Sequence, residues 1–115
     1  MKPADRVRLR HVVDALTSAI RFTEARRRED LETDEMLTFA LVYAVQIVGE
    51  AVSKVSVEFR EQHPEIPWAI IIGMRHRLVH AYFDINHDIL WTTVTKAAPE
   101  LLAQIKPLLG RANSR

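Results

Sequence analysis

The residues able to do chemistry crowd into one stretch, Met74-Arg75-His76-Arg77-Leu78-Val79-His80-Ala81-Tyr82-Phe83. A guanidinium meets phosphate oxygens through paired hydrogen bonds and keeps its charge throughout a reaction. Imidazole has an unperturbed pKa of about 6.5, nearest neutrality of any side chain. An arginine followed after four intervening residues by a histidine, with a tyrosine two further on, suggests chemistry on a phosphodiester. Metal-free RNA cleavage needs a base for the 2′-hydroxyl, an acid for the leaving 5′-oxygen and a cation for the charge at phosphorus. Histidine serves either proton-transfer role, each typically giving about 10²–10⁴-fold. One histidine does not easily perform both at once. Two copies of the stretch facing each other across a dimer axis would supply two histidines and two arginines.

The same residues carry rival readings. Arg75 and His80 lie five positions apart, about 140° around an ideal helix. They converge within one subunit only if the helix ends or bends between them, or if the site is shared. His76 and His80 stand at i and i+4 and would share a helical face, a metal-binding spacing if Asp84 or His87 folded back as a third ligand. The whole cluster is also what a helix C-terminus decorated with cations looks like, since the macrodipole favours positive charge there.

Helical periodicity supplies the elements that must position these groups. Leu9, Val12, Val13, Leu16, Ala19, Ile20 and Thr23 form one apolar stripe, predicting a first helix from about residue 5 to 28. Leu37, Leu41, Ala44, Val45, Val48, Ala51, Val52, Val55 and Phe59 predict a second, capped by Thr33, acidic at Asp34 and Glu35, and running to about Gln62. Such a helix would span some 40 Å at about 1.5 Å per residue. Tyr43 and Ile47 lie off its main stripe, so it is apolar on two sides, as a central helix or a dimer interface would be. Gly49 costs about 1 kcal/mol relative to alanine there, which points to close approach of a neighbour or to a tolerated glycine.

His63-Pro64-Glu65-Ile66-Pro67 breaks the chain, and Pro67 suits the first turn of a third helix. That helix turns Trp68, Ile71, Met74 and Leu78 inward and carries the motif near its end. Residues 83–88 read as a polar turn with Asn86 or Asp84 as cap. A fourth helix places Leu90, Val94, Ala97, Leu101, Ile105 and Leu108 on one face. Pro99 should kink or split it, Gly110 should end it, and residues 111–115 should fray. No segment alternates with period two, and there is no internal repeat or interdomain linker. The predicted architecture is an all-α antiparallel bundle of four to five helices in a single domain, 1–115, with its core at about 5–109.

Composition narrows the classes. With 115 residues, 48% of them apolar, the chain can bury roughly two-thirds of its unfolded surface. It has no cysteine, which excludes disulfides and thiolate metal sites. Charge interrupts the apolar stretches before the ~20 residues a membrane span needs, and the start lacks an apolar signal core. The expectation is a cytoplasmic protein with no membrane contact. The net charge of +1 is unevenly spread. Arginines at 6, 8, 10, 21 and 26–28 precede an acidic run at 29, 30, 32, 34 and 35. These are solvated helix faces, or a basic side that draws a polyanion.

Arg75-His76-Arg77-Leu78-Val79-His80-Ala81-Tyr82 resembles the Arg-x4-His-x-Tyr signature of HepT-like proteins in the HEPN superfamily, formerly a domain of unknown function. Ala44-Val45-Gln46-Ile47-Val48-Gly49-Glu50-Ala51 is similar to the family's second-helix stretch. His63-Pro64-Glu65-Ile66-Pro67-Trp68 with Ile72-Gly73-Met74 resembles its approach to the motif, and Leu90-Trp91 with Pro99-Glu100-Leu101-Leu102 its closing helix. The resemblance implies a ribonuclease toxin of a type II toxin–antitoxin pair, dimeric, with a composite metal-independent site and no cofactor of its own. Arg75 and His80 would be the motif's catalytic pair. His76 would assist from a position that is often asparagine in HepT-like members. It also implies an adjacent MNT-type nucleotidyltransferase antitoxin, using ATP and Mg²⁺, that adds AMP to Tyr82. That anion would repel substrate from a phosphate-binding site. Glu50 is a candidate for orienting Arg75 from the neighbouring helix. The expected substrate is RNA, tRNA or mRNA. The competing readings are a non-catalytic module binding the nucleotidyltransferase or a nucleotide, and a purely structural helical dimer.

Overall fold

The computed structural model describes residues 1–81 and 84–113, with the side chains of residues 1–79 and 84–110. The order of elements is α1 (Pro3–Thr23), α2 (Asp30–Thr33), α3 (Glu35–Ser53), α4 (Val57–Gln62), α5 (Trp68–Leu78), β1 (Val79–Ala81), β2 (Asp84–Ile85), α6 (His87–Thr92), a π turn (Thr93–Ala97) and α7 (Ala98–Asn113). The all-α bundle predicted from periodicity is the observed architecture.

Helix α3 is its centre, packed against α1 on one side and α5 on the other. By length and composition alone Glu35–Ser53 would pass for a membrane span. Here its apolar residues Leu41, Val48 and Val52 lie in the core of the bundle. Two apolar clusters result. One joins Leu9, Val12, Val48, Val52, Trp68, Leu101 and Ile105. The other gathers Leu31, Leu37, Leu41, Leu78, Val79, Leu90 and Val94. The second lies beneath the end of α5 and β1, and so anchors the segment carrying the motif.

Several boundaries differ from the periodicity. Helix α1 stops at Thr23 rather than near residue 28, because Glu24 turns extended (φ −60°, ψ 134°) and Ala25 adopts a left-handed φ of 58°. The arginines that follow are used in turns instead. Arg26 Nη2 donates to Asp34 at 2.6 Å and Arg26 Nε to Asp30 at 3.3 Å. The cap of α3 is Asp34, one residue later than expected, its carboxylate accepting from the Leu37 N–H at 3.0 Å.

The expected long helix is really two. Ser56 starts α4 by accepting from the Phe59 N–H. The Asp5 carboxylate, buried at the start of α1, takes both the Ser56 N–H at 2.8 Å and its hydroxyl at 2.6 Å. A contact across 51 residues of sequence therefore ends α3 at Ser53.

Pro99 leaves its helix uncut but alters the ladder just before it. The chain takes a wider π turn over residues 93–97 and resumes α-helix at Ala98. Gly110 does not stop α7, which continues to Asn113. Pro107 also sits inside it, and the carbonyl it cannot serve belongs to exposed Ala103, where water can take the bond. The expected polar turn after the motif is a short antiparallel hairpin, Val79 opposite Ile85 and Ala81 opposite Asp84. Asn86 then caps α6, accepting from the Ile89 N–H at 2.9 Å.

The Arg26–Asp30–Asp34 cluster gives a pH-dependent prediction. Arg26 and the Leu37 N–H hold the Asp34 carboxyl below the ordinary 3.8. The Arg27 backbone N–H, then Arg26, hold Asp30 below it as well. Carboxyls depressed in the folded state stabilise it above their unfolded pKa, and the contribution fades as pH falls through the folded value. Thermal melts between pH 7 and pH 2 should therefore show Asp34→Asn less stable than wild type at pH 7, the gap closing in acid. A gap independent of pH would refute this.

Candidate phosphodiester site at the end of helix α5

Arg75, His76 and Arg77 form the last turn of α5, and all three are exposed. The helix ends at Leu78, where Val79 turns extended (φ −122°, ψ 101°) and its N–H bonds back to the Arg75 carbonyl. Leu78 is fully buried and Val79 nearly so. The Asn86 N–H reaches the Leu78 carbonyl at 2.8 Å, pinning the foot of the hairpin to the helix end. The geometric obstacle raised by a continuous helix is thus absent. Arg75 lies in helix and His80 in β1, with the change of conformation between them. The side chain of His80 and the whole of Tyr82 lie outside the described residues.

No ion pair within the described residues engages Arg75, His76 or Arg77. Cations at a helix C-terminus are stabilised by the macrodipole without needing a carboxylate partner. Such a turn can offer its charge to phosphate oxygens. Among the described residues, no three His, Asp or Glu side chains gather as a metal site would require.

Glu50 is exposed on α3 and accepts from Gln46 Nε2 at 3.2 Å. The expected orienting contact to Arg75 is not made as a direct ion pair among the described residues. Two features around the site were not foreseen. Arg28 Nε donates to Asp88 at 2.7 Å, tying the turn after α1 to the first turn of α6 beyond the hairpin. Thr93 in the π turn donates to Met74 Sδ at 3.5 Å, directly before Arg75.

Gly49 on α3 faces the backbone of α5. A Cβ there would stand 3.5 Å from the Ile71 carbonyl oxygen and 3.6 Å from that of Ile72. The α5 backbone does lie against this glycine, but at a distance that an alanine would tolerate, so the approach does not require glycine. Those distances are ordinary contacts, so Gly49→Ala should fold and gain up to about 1 kcal/mol of helix propensity. Gly49→Leu should push α5 outward, costing about 1–3 kcal/mol and disturbing Arg75. Paired urea melts and RNA cleavage assays check both. A leucine variant with wild-type stability and activity would contradict the packing.

A mostly helical bundle in which α5 ends in a cationic turn, followed by a short hairpin, is consistent with the all-α domains of the HEPN type. The family model for HepT-like ribonucleases matches residues 12–108, and the chain belongs to that family. A protein of Caldanaerobacter subterraneus subsp. tengcongensis, named as a candidate RNase, is 40% identical over 103 residues, 90% of this chain and 92% of its own. A Thermococcus cleftensis protein named as a candidate ribonuclease HepT is 34% identical over 108 residues, covering 94% and 98%. A Methanocaldococcus jannaschii protein, named for a gamma-glutamylcyclotransferase together with a candidate RNase, is 28% identical over 95% of this chain but 49% of its own length. No solved structure matches the chain.

Proposed function

We propose that this member of a ribonuclease family is a metal-independent endoribonuclease, the toxin of a type II toxin–antitoxin pair, acting in the cytoplasm as a homodimer. The observation that carries the reading is the end of α5: three exposed cationic or titratable side chains without carboxylate partners among the described residues, and a helix that stops before the motif histidine. Arg75 would hold the scissile phosphate, with His76 assisting. His80 of one copy would take the proton of the attacking 2′-hydroxyl, and His80 of the other would give one to the leaving 5′-oxygen. A second copy would bring the other histidine and arginine to the same linkage, and Glu50 would help position Arg75. The outward face of α3 supports pairing, because Met36, Phe39 and Tyr43 are 80%, 55% and 64% exposed there. These apolar side chains recur at three- and four-residue steps along one exposed helix face.

Regulation falls to an MNT-type nucleotidyltransferase using ATP and Mg²⁺, adding AMP to Tyr82. Two positions from His80 in sequence, that phosphate would set a negative charge where the substrate's must sit. The purified chain should cleave single-stranded RNA in excess EDTA, leaving 2′,3′-cyclic phosphate ends. Cleavage that appears only on adding a divalent ion would overturn the metal-independent mechanism. Incubation with the transferase and radiolabelled ATP should label wild type but leave Tyr82→Phe unlabelled. Label retained by the phenylalanine variant would move the modification elsewhere without touching the nuclease assignment.

A further inference from the structure

The helix that carries Arg75 is held at its ends and undersupported in the middle. Trp68 and Leu78 are buried, but no residue between them is, and Ile71 and Met74 are only partly covered. Beneath that middle lies a cavity of about 140 Å³. Val45 and Val48 from α3, Ile71 and Met74 from α5, and Val94 and Leu101 from the far side form its walls. The π turn contributes directly, since Thr93, Val94 and Ala97 all line the space. Single π turns recur at functional sites because the extra residue opens a helix wall.

The volume and lining specify an occupant. An apolar cavity of ~150 Å³ in another protein stays dry and takes up benzene or xenon. This one is not closed: the exposed lining residues Pro67, Ile70, Glu100 and Gln104 place its opening between α5 and α7. Glu100 is exposed and makes no ion pair within the described residues, so the mouth carries a carboxylate open to solvent. We propose that this cavity binds a compact apolar amine, its hydrocarbon body among Val48, Met74 and Val94 and its ammonium at Glu100. Filling the space supports the middle of α5, so occupancy is felt one residue beyond Met74, at Arg75. The binding site stands on the cavity alone and does not depend on the ribonuclease reading.

The test is NMR of the full chain with methyl and amide probes, titrated with benzylamine, benzyl alcohol and toluene. Benzylamine should give saturable shifts at the methyl groups of Val45, Val48, Ile71 and Val94, with smaller amide shifts at Arg75 and His76. It should bind about two- to fivefold tighter than toluene, as one exposed ion pair allows. Glu100→Gln should erase that preference and leave toluene binding unchanged. Ala98→Leu should fill the space and abolish binding; Val48→Ile, a milder filling, should weaken it if the larger change unfolds the chain. Lack of shifts at the lining methyls, or shifts centred on Phe39 and Tyr43, would overturn the site. Equal affinity for toluene and benzylamine would overturn the choice of an amine.

Discussion

His80→Ala is expected to lower kcat for RNA cleavage by about 10²–10⁴-fold, the range that one general acid or base contributes, with KM nearly unchanged. Arg75→Ala should be as damaging to kcat/KM for a different reason. The guanidinium holds charge that grows at phosphorus as the 2′-oxygen attacks, so its loss raises the barrier more than it weakens ground-state binding. Arg75→Lys separates charge from geometry: an ammonium restores the point charge but not the two-pronged contact, and only partial recovery is expected. His76→Ala should fall between wild type and His80→Ala. The Arg75 and His76 variants should fold, because both side chains are exposed and the core beneath them is built from Leu78, Val79 and Leu90. Single-turnover cleavage of a labelled RNA, with circular dichroism to verify folding, measures all four. Full activity in either Arg75→Ala or His80→Ala would remove that residue from the chemistry.

Much of the scaffold was legible because burial and helical period agree along α1, α3 and α7. Along α5 only Trp68 and Leu78 of the expected inward residues are buried, and Ala97, expected inward on the fourth helix, is exposed. Leu9, Leu41, Leu78 and Ile105, each predicted to face inward, are fully buried. The failures come where distant residues override a local pattern. Val55 and Phe59 continue the three- and four-residue spacing of α3 straight through its end, so no periodicity analysis sees the break there. Its cause is Asp5 reaching Ser56 from the other end of the chain. Thr33 and Asp34 are both good caps in isolation, and Arg26 pairing with Asp34 favours the second. The hairpin is too short for alternation to register, with three residues in one strand and two in the other.

The site was legible in kind, because Arg75 and His76 declare their chemistry by type, but its geometry was not. A helix ending exactly between Arg75 and His80 depends on Leu78 and Val79 being drawn into the cluster under Leu90, and on Asn86 closing the hairpin behind them. The space under α5 was invisible for a related reason. Ile71 and Met74 read as ordinary core residues, whereas in the structure both are only partly covered and line a cavity walled on the far side by the π turn.

A shared site makes activity depend on the square of the active fraction. If both His80 side chains serve one scissile linkage, a dimer holding one wild-type and one His80→Ala subunit is inactive. Subunits related by a two-fold axis assort at random, so one wild-type chain in ten leaves about one dimer in a hundred intact, against about one chain in ten if each protomer works alone. Co-refolding the two chains at that ratio, verifying assortment by native mass spectrometry and measuring initial cleavage rates separates the cases by about tenfold. Phe39→Glu and Tyr43→Glu extend the test to the interface. Both side chains are more than half exposed, so a monomer should tolerate the charge, whereas a dimer burying this face of α3 should dissociate and lose cleavage together. A rate linear in the wild-type fraction, with the glutamate variants monomeric yet active, would place a complete site in every protomer and assign both proton transfers to one copy of the motif.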